Sequence, residues 1–203
     1  MRFLLDGMLG KLTRWLRMLG YDAVYLNDLA DKDLLALAKR ESRVLLTSDE
    51  ELYRTAAMRG TETVLVQGLT EPQRLAEVAE RYKLRLEIDT TISKCPKCGF
   101  AIRETKKSEV EESVPPTTFK VYTSFWVCTN PKCAKVYWHG SHWKKIEKTL
   151  EEARRILDST KKPPGTREQP QPRRGQDTGE TGPTRNQQIL GKQRDNRTTT
   201  GHS

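Results

Sequence analysis

Residues 1–82 alternate short apolar runs with segments of helical period, and this alternation restricts the fold more than any other feature of the chain. Arg2–Leu5, Ala23–Leu26, Val44–Thr47 and Val64–Val66 read as buried strands. Between the first two, residues 8–19 place Leu9, Leu12, Leu16 and Leu19 at helical spacing, and Gly20 fits the stop. A second helix is predicted from about Lys32 to Arg40, with Asp31 as its N-cap. A third covers 50–58 and ends at Gly60, and a fourth covers Glu71–Tyr82 with Pro72 in its first turn. Parallel strands need crossover connections, and helices supply them. The pattern therefore predicts an α/β fold in which a parallel sheet is flanked by helices, with residues 1–90 as the head.

The next segment is organised by cysteine. All four cysteines fall between residues 95 and 133, as Cys95-x2-Cys98 and Cys128-x4-Cys133. The N-terminus, MRFLLDGMLGKL, has no signal-peptide core or cleavage site, which argues for a cytoplasmic protein and against disulfides. No apolar run approaches the length of a membrane span. A thioredoxin-like redox site would start a helix inside a βαβ unit, and CPKCG does not. Paired thiolates on tight turns suit a tetrahedral Zn²⁺, so Cys95, Cys98, Cys128 and Cys133 are assigned to one structural zinc. The ion would hold together a segment too small and polar to bury much core.

Residues 91–158 then read as a small β-rich zinc ribbon with a closing helix. Leu84–Ile88 has β-character, 104–118 reads as a polar loop, and Phe119–Val127 is β-rich. Tyr137–Trp143 is aromatic, and an amphipathic helix is predicted from about Lys144 to Leu157. Residues 159–203 hold five prolines, six glycines and a single aliphatic pair, the composition of a disordered tail.

Charge separates the same three parts. The head has 14 Lys and Arg against 15 Asp and Glu, the ribbon 13 against 8, and the tail 9 against 4. Basic segments beside a near-neutral head point to chemistry in one place and polyanion binding in another, with nucleic acid as the partner. Lys11, Arg14 and Arg17 form a basic row opposite the leucines of the first helix, suited to phosphates. Trp138, His142 and Trp143 are the candidate base-facing side chains of the ribbon.

Aspartates mark the strand ends. Asp6 follows the first strand and Asp49 the third, in LLTSDEEL; Asp31 opens the second helix, with Asp28 and Asp33 as competitors for its place. In an open parallel sheet these positions share the carboxyl edge, where ligands bind. Grouped carboxylates repel one another unless a hard cation such as Mg²⁺ or Mn²⁺ joins them, and such an ion can activate water against a phosphodiester. Asp31 and Asp49 as simple helix caps is the alternative. Asp6 is followed by Gly7 and Met8, which excludes the Asp-x-Asp of a haloacid-dehalogenase-type phosphatase. A receiver domain would need an acidic pair after strand one. Neither GxxxxGK[ST] nor GxGxxG occurs, so a nucleotide-binding loop is unsupported.

The stretches FLLDGMLGKLTRWLRMLGYD and DKDLLALAKRESRVLLTSDEEL, then CPKCG, then CxxxxC with YWHGSHW, resemble in order the Mut-seven C-terminal RNase domain family. That family is a branch of the PIN-like nucleases with a C-terminal zinc ribbon, and the resemblance covers roughly residues 1–150. It implies a compact PIN-like sheet and a metal-dependent ribonuclease in which Asp6, Asp31 and Asp49 hold Mg²⁺ or Mn²⁺. A fourth acid, present in many PIN nucleases, has no clear counterpart here. The expected partner is RNA, with structured RNA or the ribosome as candidates. The competing expectation is a noncatalytic RNA- or ribosome-binding protein on a degenerate nuclease fold.

Overall fold

A computed structural model of the chain describes residues 1–161, which lie within one compact unit. The head contains β1 (Arg2–Leu5), α1 (Gly10–Met18), β2 (Asp22–Tyr25), α2 (Asp31–Arg40), β3 (Val44–Thr47), α3 (Glu50–Met58), β4 (Thr63–Leu65) and α4 (Glu71–Tyr82). The four strands form a parallel sheet in the order β2-β1-β3-β4. The expected α/β class and the expected helices on both faces are therefore present.

Strand order explains the two-sided core. The chain steps from β1 outward to β2, then crosses back over β1 to β3, so α1 and α2 cover opposite faces. Alternate strand residues serve the two layers. Phe3, Leu5 and Leu46 pack with Leu9 at the N-cap of α1, Leu12 and Leu16 within it, and Leu75 and Val78 of α4. Leu4 and Leu45 face the other way, onto Leu34, Leu35 and Ala38 of α2 and Leu52 and Ala56 of α3.

The second region contains β5 (Ile102–Thr105), a short α5 (Pro116–Val121), β6 (Phe125–Cys128) and β7 (Val136–Tyr137). These strands form an antiparallel sheet in the order β5-β6-β7. Its small core is Val110, Val114, Phe125 and Val136. The last element, α6 (Ser141–Lys161), returns to the head, where Leu150 and Ala153 are buried in the same cluster as α1 and α4.

Several expectations are corrected. Asp31 is not an N-cap: Ala30 occupies that position without a side-chain bond, and Asp31 is the first helical residue. Leu84–Ile88 is not a strand, although Leu84 and Leu86 are buried. Side chains satisfy its backbone instead, the Tyr21 hydroxyl accepting from the Arg85 amide at 2.9 Å and Arg154 donating to the Leu86 carbonyl at 2.7 Å. The loop 104–118 holds two 3-10 turns, at Lys107–Glu109 and Glu111–Ser113, and the start of α5. Phe119–Val121 is helical, because Pro115-Pro116 sets a helix start that overrides β-branched propensity. The closing helix begins at Ser141 rather than Lys144 and includes residues 159–161. The rest of the expected disordered tail, from residue 162 on, lies outside the described residues. Among those residues, no helix is long and apolar enough to cross a membrane.

The position of Leu150, 4% exposed on the face of α6 that packs against the head, yields a test. Leu150→Ala is expected to destabilise the protein by about 2–5 kcal/mol. Urea unfolding should register that loss as a lower midpoint for the head, although the residue is far from it in sequence.

Candidate functional site

The crevice between the carboxyl ends of β1 and β3 is the switch point of the sheet, because the helices leaving those strands run to opposite faces. Leu5 pairs with Leu46, which brings Asp6 level with Thr47. Asp6 is 7% exposed. One of its oxygens accepts the Met8 amide at 2.9 Å; the other accepts the Thr47 hydroxyl and the Ser48 amide, the latter at 3.3 Å. Thr47 is fully buried, and its oxygen also accepts the Asp49 amide at 2.9 Å. Asp49 caps α3 through one oxygen, which takes the Glu51 and Leu52 amides at 2.7 and 3.0 Å. Its other oxygen has no partner among the described residues. Ser48 keeps its hydroxyl buried without a hydrogen bond.

Asp6 and Asp49 are thus joined through Thr47. Asp31 reaches the same edge as the exposed first residue of α2 and makes no hydrogen bond or ion pair among the described residues. Asp28 and Asp33 are likewise exposed. By contrast, Asp22 lies at the amino edge and is bound to buried Arg43 at 3.0 Å and to Arg2 at 3.2 Å. Burial raises the Asp22 pKa, but these arginines outweigh it and hold the carboxyl below its ordinary range. Thr47 and Ser48 were not anticipated as site residues; the signal available for them was the Thr-Ser-Asp that follows a buried run in LLTSDEEL.

The cysteines form a second centre. Among the described residues they are the one group of three or more metal-ligating side chains gathered together, with all four sulfurs within 4.8 Å of one another. Cys95 Sγ lies 3.8 Å from Cys133 Sγ and Cys98 Sγ lies 3.3 Å from Cys128 Sγ, so none is disulfide-bonded. Thiolates about 2.3 Å from a tetrahedral zinc stand about 3.8 Å apart, so the quartet could hold that ion. Burial raises the Cys95 thiol pKa, yet hydrogen bonds from Tyr137 and from the Cys98 and Lys97 backbone draw it down to about 7. Burial pushes Cys128 and Cys133 up instead. The Tyr137 hydroxyl lies 3.0 Å from Cys95 Sγ, and burial raises its own pKa, which leaves it a proton to donate to a Cys95 thiolate.

This centre is fastened to α1. The helix leaves its last carbonyls unsatisfied, and the segment before Cys95 answers them. Lys94 donates its amide to the Arg17 carbonyl at 2.8 Å, and the Ser93 hydroxyl donates to the Met18 carbonyl at 2.6 Å. The Arg17 guanidinium then donates to the carbonyls of Ala23 at 2.8 Å, Pro96 at 3.2 Å and Lys97 at 3.1 Å. Burial lowers its pKa, while the nearby Cys98 and Cys95 act to raise it. Gly99 closes the cysteine turn at φ +81°, and a side chain there would begin 3.1 Å from Arg17 Nε.

These contacts break up the expected RNA-facing groups. Arg17 leaves the basic row to serve the cysteine turn, whereas Lys11 and Arg14 remain exposed. His139 stacks on both Trp126 and Trp143, with centroids 4.8 and 3.9 Å apart, and Trp143 donates to Glu147 at 2.7 Å. Trp138 packs on the small ribbon core, and Gly140 is needed because a Cβ there would meet its indole nitrogen at 2.6 Å. His142 is exposed in the first turn of α6.

The model of the Mut7-C RNAse domain family matches residues 1–150, a span that includes both the crevice and the cysteine centre. The chain belongs to this family. No curated protein and no solved structure gave a significant match. Mut7-C membership supports the resemblance drawn from the motifs and points to a nuclease-like role on RNA. It also places the four cysteines inside the matched region.

Titrated with zinc after mild chelation, the protein is expected to take up one ion per chain and to protect its four thiols from a thiol reagent. Tyr137→Phe keeps every ligand but removes the donor to Cys95, and should weaken zinc affinity by about 10–100-fold. Undiminished affinity in a competition assay with a colorimetric chelator would show that this hydrogen bond does not tune the site.

Proposed function

We propose that this protein is a metal-dependent endoribonuclease that hydrolyses RNA phosphodiester bonds at the crevice between β1 and β3, with a structural zinc in its cysteine centre. The observation that carries this reading is the treatment of Asp6. A buried carboxylate at the switch point of the sheet is held by three donors, and one of them, the Thr47 hydroxyl, also takes the backbone amide of Asp49, a second acid with an oxygen to spare. A carboxylate offers about four acceptor positions, so three donors leave Asp6 one free. The unpartnered Ser48 hydroxyl beside it is the kind of buried polar group that calls for a further ligand or water.

In this reading Asp6 and Asp49 hold Mg²⁺ or Mn²⁺, with Asp31 as the third acid. The donor set fits, being hard oxygen ligands with room left for water. When bound, such an ion supplies an activated water and charge stabilisation for the leaving oxygen. The chain's own part is orientation. Thr47 fixes the Asp6 carboxylate, and the α3 cap fixes Asp49 with one oxygen turned away from the helix amides. Family membership, the basic ribbon and the exposed Lys11 and Arg14 support RNA as the substrate.

One observation favours the competing reading of a noncatalytic RNA- or ribosome-binding protein. Asp6, Asp31 and Asp49 are not gathered as the cysteines are. Activity decides between the two. Wild-type protein with Mg²⁺ or Mn²⁺ is expected to cleave RNA, and Asp6→Asn and Asp49→Asn are expected to reduce cleavage to background. Asparagine still caps a helix, so Asp49→Asn should unfold at nearly the wild-type temperature. Comparing Asp31→Asn with Asp28→Asn and Asp33→Asn should show the largest loss for the first. RNA binding without cleavage, across varied RNAs and both ions, would establish the binding protein instead.

Thr47→Val provides a separate check on the coupling. It removes the hydroxyl from Asp6 and leaves the part-buried Asp49 amide without its acceptor, at a cost of about 1 kcal/mol. Cleavage should fall while zinc content stays the same.

A further inference from the structure

An open groove of about 560 Å³ runs between α1 and the cysteine centre. Its charged lining residues are Arg14 and Arg17 from α1, Lys97 from the first cysteine turn and Lys135 from just beyond the second; no acidic side chain lines it. Arg17 is committed to the backbone of the cysteine turn. Arg14, Lys97 and Lys135 are exposed, and none of their side-chain charges has an ion-pair or hydrogen-bond partner among the described residues. Three unanswered cations converging on one groove repel one another, and an anionic ligand would relieve that repulsion.

The α1 wall of the groove runs from Gly10, which lies against the Tyr25 ring, to Arg17, which lies against the first cysteine turn. Tyr137 in the lining has its hydroxyl 3.0 Å from Cys95 Sγ. Tyr25 donates its hydroxyl to the Gly7 carbonyl at 3.0 Å. Gly7 follows Asp6 directly and belongs to the turn whose Met8 amide holds the Asp6 carboxylate. The lining of the groove thus touches the cysteine centre through Tyr137 and, through Tyr25, the turn that follows Asp6.

We propose that this groove is the path of a single RNA strand. Its phosphates would contact Lys97, Lys135 and Arg14 in succession, and the strand would pass Tyr25 to reach Asp6. The inference rests on the nuclease reading above and adds the route by which substrate arrives. Phosphates spaced along a strand match separate cations along a groove, and unpaired bases can stack on tyrosine rings. The chain's own segment beyond residue 161 is a poor occupant, because residues 162–203 carry 8 Lys and Arg against 4 Asp and Glu. The route also assigns the cysteine centre a task. Through Arg17 it holds Lys97 against α1, so an ion there would shape the RNA path without touching RNA. The stacked Trp126, His139 and Trp143 are not part of this path.

The test uses the full-length protein without added Mg²⁺ or Mn²⁺ and a fluorescent, unstructured oligouridylate, followed by anisotropy over a salt series. Arg14→Ala, Lys97→Ala and Lys135→Ala should each weaken binding, and the triple variant should lose about tenfold or more. Each lost phosphate contact should reduce the slope of log affinity against log salt by about 0.7. Lys39→Ala and Arg59→Ala, on the α2 and α3 side of the sheet, should change neither value. Zinc content and thermal unfolding should match wild type throughout, as expected for exposed side chains. If wild type binds and cleaves RNA but the triple variant binds equally with the same salt slope, the groove is not the path and the nuclease reading survives. If wild type neither binds nor cleaves RNA, the nuclease reading fails and takes the groove with it. Displacement of the RNA by polyglutamate at equal charge concentration would also overturn the proposal, in favour of an acidic protein partner.

Discussion

The Arg17 guanidinium spans three parts of the backbone at once, the end of α1 that carries it, Ala23 in β2, and the Pro96 and Lys97 carbonyls of the first cysteine turn. An arginine suits this work because its donors are fixed in a plane and it keeps its charge when half-buried. The position of the cysteine centre on the head follows from that bridge, together with the Ser93 and Lys94 bonds to the last carbonyls of α1. The Lys97 side of the groove follows from it as well. The small antiparallel sheet buries little on its own, so its attachment to α1 and the return of α6 onto α4 make one unit of two differently built regions.

The two polar centres are organised on opposite principles. In the crevice, hard oxygen groups are held apart and individually oriented by backbone amides and one threonine. In the cysteine centre, four soft sulfurs are brought within 4.8 Å of one another. A closed thiolate shell suits a structural ion, whereas acids with spare lone pairs suit an ion that must also meet water and substrate. The first centre lies where a parallel sheet reverses its winding, the second where two turns face each other. That division agrees with a family whose matched region includes both.

Much of this was legible in the residues. The helical spacing of Leu9, Leu12, Leu16 and Leu19 defined α1, and the apolar runs defined all four parallel strands, because both patterns arise from burial within one element. Asp6 and Asp49 could be assigned to one sheet edge because parallel winding brings every strand's carboxyl end to the same side. The cysteine spacing foretold the quartet for a similar local reason: two tight turns can present four thiols without reference to the rest of the fold.

Tertiary contacts decided what those local patterns leave open. A basic residue on a helix face reads the same whether it meets solvent, phosphate or a carbonyl, and only packing committed Arg17 to the cysteine turn while leaving Arg14 in the groove. The aromatic run YWHGSHW could not disclose that His139 would stack on Trp143 within the run and on Trp126 of β6. Leu84 and Leu86 had the alternation of a strand but no neighbour to pair with, so Tyr21 took the Arg85 amide and Arg154 the Leu86 carbonyl. Thr47, unremarkable in sequence, became the link between two acids because the β1–β3 register sets it beside Asp6. Periodicity and ligand spacing thus determined the elements and the chemical types available. The choice of partner for each polar group required long-range contacts, because a hydrogen bond depends on what lies across the gap and not on the chain that approaches it.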